Sequence, residues 1–203
     1  MDETSLIHAA QKGDLEAFNR IVVIYQGMAY NLAYRILNND TLAEDATQNA
    51  FISAYRNLSK YRGGSFRAWI LRVVTNYCYD ELRRQKRRPT IPLEPLDDDS
   101  EETLESPRWL TDDAPGPEET LVTKELEKAV QHCLDRLPAN FRTVVILVDI
   151  QGLDYQEVSE TIRTPLGTIK SRLARARLRM QDCLQGFREL LPSAFRLVNE
   201  VQD

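Results

Sequence analysis

The chain has 203 residues, 26 of them basic and 31 acidic, for a formal net charge of −5 at pH 7, which allows one large domain or two small ones. It has no apolar run of membrane-spanning length and no signal-peptide pattern after the acidic start Met1-Asp2-Glu3, so a cytoplasmic protein that does not insert into membranes is expected. Cys78, Cys133 and Cys183 lie far apart without a CxxC spacing. That argues against a zinc site or a disulfide framework, and the three are read as buried free thiols.

The net charge misleads until it is divided along the chain. Residues 1–88 hold 13 basic and 9 acidic residues, whereas residues 89–118 hold 1 and 10. Residues 119–203 balance at 12 and 12. The acidity therefore belongs to one segment, and a nucleic-acid partner stays open for the parts on either side.

Residues 5–88 read as almost continuous helix. A short helix carrying Leu6, Ile7, Ala9 and Ala10 is expected to end at Gly13, and Asp14 to cap the next. Phe18, Ile21, Val22 and Tyr25 then repeat at helical steps through Leu37, and Asn38-Asn39-Asp40 makes a turn. A third helix is expected over about Thr41 to Asn57, and a loop with paired glycines over Leu58 to Gly64. A long helix starts near Ser65 and runs into the basic stretch Arg83-Arg84-Gln85-Lys86-Arg87-Arg88, where Pro89 ends it. Six prolines and ten acids mark 89–118 as a flexible linker and a domain boundary, interrupted by Trp109-Leu110.

Helical periodicity resumes at 119. Leu121, Leu126, Val130, Cys133, Leu134 and Leu137 form one stripe, Pro138 breaks it, and Phe141, Val144, Val145, Leu147 and Val148 form another that Gly152 ends. Asp154 and Glu157 have capping-box spacing ahead of a short helix with Val158 and Ile162. Thr164 as N-cap and Pro165 at the first helical position open a second helix running to at least Met180. Two helices across so tight a turn fit a helix-turn-helix, whose second helix enters the DNA major groove.

At 100° per residue that second helix sorts into faces. Ile169, Leu173, Ala176 and Met180 form the buried stripe, and Gly167, Ser171, Ala174, Arg175 and Leu178 lie opposite. Lys170 and Arg177 flank one side, Arg172 and Arg179 the other. Five basic residues and no acidic ones between Pro165 and Met180 suit a helix that approaches bases closely while its arms reach phosphates. An ordinary solvated helix face is the bland alternative, and such faces usually mix both signs.

Four ordered stretches carry a family resemblance: Gly13–Phe18, Ala43–Phe51, Phe66–Asn76 and Gly152–Arg177. The chain resembles the extracytoplasmic-function (ECF) group of bacterial RNA polymerase sigma factors from about Gln11 to Cys183. The resemblance implies an all-α protein of two small helical domains joined by an acidic flexible linker. Residues 1–88 would be sigma region 2, 89–118 the linker, 119–187 sigma region 4, and 188–203 a C-terminal extension past the family's usual end. Asn49 stands where the family commonly has an acid.

The resemblance also implies roles. Glu44, Asp45, Gln48, Phe51 and Tyr55 would dock on the β′ coiled coil of core polymerase, although Phe51 reads equally well as core. The Ser59–Ser65 loop, with Tyr61 and Arg62, would capture a flipped base of the −10 element. Arg67, Asn76, Tyr77, Asp80, Arg83 and Arg84 would contact the melted strand or the duplex edge, while Phe66 and Trp69 read as core. In the second domain Lys170, Ser171 and Arg175 would reach base edges of the −35 element. Arg172 would stand near the groove wall, and Thr168, Arg177 and Arg179 would hold phosphates. Core RNA polymerase (β′ coiled coil and β flap), promoter DNA and an anti-sigma factor are the implied partners. No cofactor, metal or catalytic residue is implied.

Two other readings compete. A helix-turn-helix regulator with an N-terminal sensing or dimerisation domain would not need the Tyr61–Gly64 loop or the Arg83–Arg88 stretch. An enzyme is disfavoured because His8 and His132 stand in unrelated contexts, with no phosphate loop, nucleophile elbow or metal-ligand spacing.

Overall fold

The computed structural model describes residues 2–87 and 117–191, and the side chains of 117–122 are not described. The sequence readings for Arg88, for the side chain of Leu121, for residues 89–116 of the proline-rich segment with Trp109-Leu110, and for residues 192–203 lie outside the described residues. The described residues are helical, without strands. They divide into two compact units, one of residues 2–33 and 39–87 and the other of residues 34–38 and 117–191.

In the first unit α1 (Glu3–Gln11) starts on an Asp2 cap and α2 (Leu15–Leu37) on Asp14, whose carboxylate accepts from Ala17 N at 3.0 Å. Gly13 between them has φ 95°, the left-handed conformation glycine tolerates best. Asn39 caps α3 (Asp40–Asn57), one residue earlier than the expected start. A 3-10 turn, Leu58–Lys60, leads through Gly63 and Gly64 to α4 (Phe66–Arg87). The core is apolar: Ile21, Leu32, Leu58, Ile70, Leu71 and Val74 are fully buried. Each stabilises the fold by about 1.5–3 kcal/mol relative to an exposed side chain. Phe51, 7 % exposed, belongs to this core. Cys78 is a buried free thiol, and burial pushes its pKa up to about 12.

In the second unit α5 (Pro117–Asp135) turns at Pro138 into α6 (Ala139–Val145), which widens into a π turn over Ile146–Ile150. The periodicity gave no sign of that widening. α7 (Tyr155–Thr161) carries the expected capping box, with Asp154 accepting from Gln156 N and Glu157 N and the Glu157 carboxylate accepting from Asp154 N. α8 (Leu166–Leu184) begins one residue later than expected, with Pro165 at the cap position. Thr164 does not cap it: its hydroxyl donates back to Ile162 O at 3.2 Å, beside Arg163 at φ 50°. A 3-10 turn, Gln185–Phe187, follows.

One expectation fails outright. Cys133 and Cys183 are not free thiols but a disulfide with Cα atoms 5.7 Å apart, tying the end of α5 to the end of α8. The two residues are 50 apart in sequence, so no local spacing motif announces the pair. Each lies on the inner stripe of its helix, and packing α8 against α5 brings the stripes together.

Candidate nucleic-acid interface

Helix α8 presents the surface its periodicity demands. Ile169, Leu173 and Ala176 are buried, so the opposite face must point outward. Lys170, Ser171, Ala174, Arg175 and Leu178 are exposed, the last at 60 %. Ser171 Oγ donates to Thr168 O at 3.1 Å, which keeps that side chain close to the helix surface. Gly167 adds no bulk at the start of the face, and a Cβ there would meet nothing within 4 Å.

The flanking arginines differ in ways the angular reading could not give. Arg177 is held by Asp149 of the π turn, its Nε donating to Oδ2 at 3.1 Å and its Nη2 to Oδ1. That hydrogen bonding holds the guanidinium pKa above its ordinary value. Arg179 lies over the Phe141 ring, 5.2 Å from the centroid. Arg172 and Thr168 are half-buried. The five cations on this helix thus comprise two exposed arms, one partly covered arm and two with intramolecular partners. No periodicity marked Asp149 or Phe141, because each reaches α8 from another element.

The first unit builds its candidate site from a loop. Tyr61 donates through its hydroxyl to Gly64 O at 2.7 Å, folding the loop back on itself. Gly63 and Gly64 allow this with φ of 101° and 92°. The Tyr61 ring meets Phe66 edge-on at 5.1 Å and tilts against Trp69 at 5.6 Å. Phe66 is buried, in keeping with its reading as core, whereas Trp69 is only half-buried. The loop borders an open cavity of about 700 Å³, whose walls include Tyr25, Tyr61, Arg62, Phe66 and Arg67. Partial burial and the nearby Glu3 carboxylate raise the Tyr61 pKa, so the phenol stays neutral.

The remaining expected residues, apart from Arg62 in the loop, are spread along α3 and α4. Arg62, Arg67, Asn76, Asp80, Arg83 and Arg84 are exposed and Tyr77 is half-buried. Arg67 Nε lies 3.2 Å from Met28 Sδ, Arg83 pairs with Asp80 at 2.7 Å, and Arg84 pairs with Glu81 at 2.8 Å. On α3, Glu44, Asp45 and Gln48 are exposed, and Tyr55 packs on Phe18 with centroids 4.9 Å apart while staying 39 % exposed. Phe51 points inward, away from these four.

The cavity also has walls that the sequence reading overlooked. Glu3, His8 and Gln11 of α1 line it. Glu3 accepts a hydrogen bond from Tyr25 OH at 2.7 Å, and Tyr25, mainly through burial, has its pKa raised. Only the packing of α1 against the loop reveals these residues.

Two helical units, one presenting a basic helix free of acids as far as Met180 after a tight turn and one an aromatic and cationic loop, define a DNA-binding protein of the transcription machinery. Comparison with known proteins agrees. Residues 21–88 match the family described as Sigma-70 region 2, and residues 127–180 match Sigma-70, region 4. The chain is 36% identical to the ECF RNA polymerase sigma factor SigE of Mycolicibacterium smegmatis over 84% of this chain and 62% of that protein. It is 36% identical to the ECF sigma factor SigW of Bacillus subtilis over 84% of this chain and 90% of that protein. Among solved structures it is similar in fold to the sigma factor RpoE bound to the anti-sigma factor NepR from Bartonella quintana. That match has a TM-score of 0.63 and 20% identity, and covers 84% of this chain and 98% of that one. The chain belongs to the ECF sigma factors of the sigma-70 family. It therefore serves promoter-specific transcription initiation and is not an enzyme. Among the described residues no helix is long and apolar enough to cross a membrane.

Proposed function

We propose that the chain divides promoter recognition between two surfaces, and that residues 1–88 and 119–187 are the two working domains. In the first, the Tyr61–Arg62 loop takes up an unstacked base of the −10 non-template strand. Arg67, Asn76, Tyr77, Asp80, Arg83 and Arg84 guide the strand and the adjoining duplex edge. In the second, Lys170, Ser171 and Arg175 read base edges of the −35 element, with Arg172 at the groove wall. Thr168 supports the phosphate backbone, and Arg177 and Arg179 act there only by leaving Asp149 and Phe141.

The observation that carries this reading is the preformed cavity beside Tyr61, with aromatic and cationic walls and an opening to solvent. Holding a base out of the stack needs a π-surface and positive charge, and a plain helix-turn-helix regulator needs neither.

Glu44, Asp45, Gln48 and Tyr55 form the docking surface for the β′ coiled coil of core polymerase, with Phe51 supporting them from beneath. An apolar groove of about 840 Å³ in the second unit, walled by Leu134, Val145, Ile150, Met180 and Leu184, suits the β flap. The protein acts in the cytoplasm, where the polymerase is. An anti-sigma protein would control it by covering one of these surfaces. The Bartonella quintana sigma factor of similar fold is itself found in complex with such a protein.

The test is size exclusion of the full chain with bacterial core polymerase, beside an Asp45→Arg variant. Co-elution of the wild type and poor co-elution of the variant are expected. Failure of both, where a known sigma factor co-elutes, would contradict the docking assignment.

A further inference from the structure

Gln11 ends α1, ten residues before the matched region-2 segment begins at Ile21. Its Nε2 donates to two backbone carbonyls about fifty residues away, Leu58 O at 3.1 Å and Tyr61 O at 2.9 Å. An amide nitrogen has two hydrogens, and both are used here. Leu58 O also accepts from Tyr61 N at 3.1 Å, closing the 3-10 turn. One side chain thus fixes both ends of the 58–61 backbone, leaving Tyr61 to hold the other half of the loop through Gly64 O.

The other end of α1 is fixed as well. Glu3 takes the hydrogen bond from Tyr25 OH, and Leu6, Ile7 and Ala10 are buried. The helix is therefore anchored at both ends, with Gln11 at the end nearer the loop. Beyond the single 3-10 turn at 58–60, residues 61–64 lack the backbone ladder of a helix, and two of them are glycines at positive φ. Without an external tie such a segment samples many conformations, and binding a base would have to cost that ordering entropy.

We propose that Gln11 is a positioning residue for capture of the melted strand. It sets the 58–64 backbone so that Tyr61 stands at the cavity before DNA arrives. This rests on the reading of that cavity as the −10 base site. Gln11 also lines the cavity, but with both amide hydrogens spent on backbone carbonyls it acts through Tyr61. The consequence is that α1, outside the matched segment, sets how tightly the single strand is held without contributing to duplex recognition by α8.

The test uses the full chain in complex with core polymerase. The probe is a single-stranded oligonucleotide carrying the −10 non-template sequence of a promoter it transcribes, with 2-aminopurine at the unstacked position. Gln11→Ala is expected to weaken strand binding about fivefold to tenfold and to reduce the fluorescence rise, as two hydrogen bonds are lost. Binding of −35 duplex and of core polymerase should stay at wild-type levels. Gln11→Glu keeps the size but replaces the donor with an acceptor facing two carbonyls, so it should fail at least as badly. A packing role would instead tolerate glutamate and would contradict the proposal. The deciding comparison is Gln11→Ala in a Tyr61→Ala background. Action through Tyr61 predicts that the second change adds little to the first, whereas full additivity overturns it. If Tyr61→Ala alone leaves strand binding unchanged, the −10 assignment of the cavity fails first, and the positioning role fails with it.

Discussion

The loop of the first unit and helix α8 of the second, the two surfaces proposed to meet DNA, are opposite kinds of structure. Helix α8 is regular, so its outward cations are displayed by backbone geometry alone, and its inner stripe of Ile169, Leu173 and Ala176 fixes which way they point. The 58–64 loop has no such regularity. Its shape comes from side chains: Gln11 on two carbonyls, Tyr61 on Gly64 O, and the Tyr61 ring against Phe66 and Trp69. Duplex DNA offers a uniform groove that a rigid rod can read. An unstacked base needs a shaped cavity, which only an irregular backbone provides, and that backbone must be held by contacts from elsewhere.

The contrast between the units is strained hardest at the disulfide, which holds the α8 end of the second unit much as Gln11 holds the loop of the first. Cys183→Ser should lower stability by up to about 4 kcal/mol, for a closed loop of this length. Denaturant unfolding followed separately in each unit should show the loss in the second and little change in the first. An equal loss in both would mean that the pair does not serve the second unit alone.

Next in size is Arg175→Ala. This side chain stands exposed on the outward face of α8, and its loss should cost about 1–3 kcal/mol at one base position of the −35 element. Arg177→Ala should cost less, because that guanidinium is already held by Asp149. Competition binding across base substitutions in the −35 element measures both, and a larger loss from Arg177 would reverse their ranking.

Asp154→Ala removes the α7 capping box and should destabilise the second unit by about 0.5–2 kcal/mol. Thermal unfolding reads it, and no change would mean that packing alone orients α7. Lys170→Ala should relax sequence preference within the −35 element while leaving the salt slope of duplex binding nearly unchanged, as a base-edge role requires. A slope lower by about one unit with preference unchanged would assign it to a phosphate instead.

The smallest effect concerns pH. Burial raises the Cys78 pKa to about 12 from an ordinary 9.0. The unfolded chain therefore loses this proton first, and stability falls as pH rises through that window. Cys78 should resist thiol reagents at pH 8 until the first unit unfolds, and fast labelling of the native protein would place it outside the core.

Regular elements were legible because they repeat. The α8 faces and the Asp154–Glu157 box follow from spacing alone, and the structure reproduces them to within a residue at the helix start. What stayed hidden depends on long-range pairing. The Cys133–Cys183 bond, the Asp149 grip on Arg177 and the Gln11 tie to the loop join residues 50, 28 and 47–50 apart. No period of two or 3.6 encodes such contacts. Phe51 marks a different limit: on a helix whose inner face is mostly alanine, periodicity places it at the edge of the stripe, and packing alone turns it inward.

The most direct test of two-surface recognition is run-off transcription from fragmented bacterial DNA with core polymerase and the full chain. The account predicts start sites that share two sequence elements at a fixed spacing. Tyr61→Ala should suppress opening at these sites, and Arg175→Ala should relax only the upstream element. Start sites like those of core polymerase alone, or sharing only one element, would contradict it.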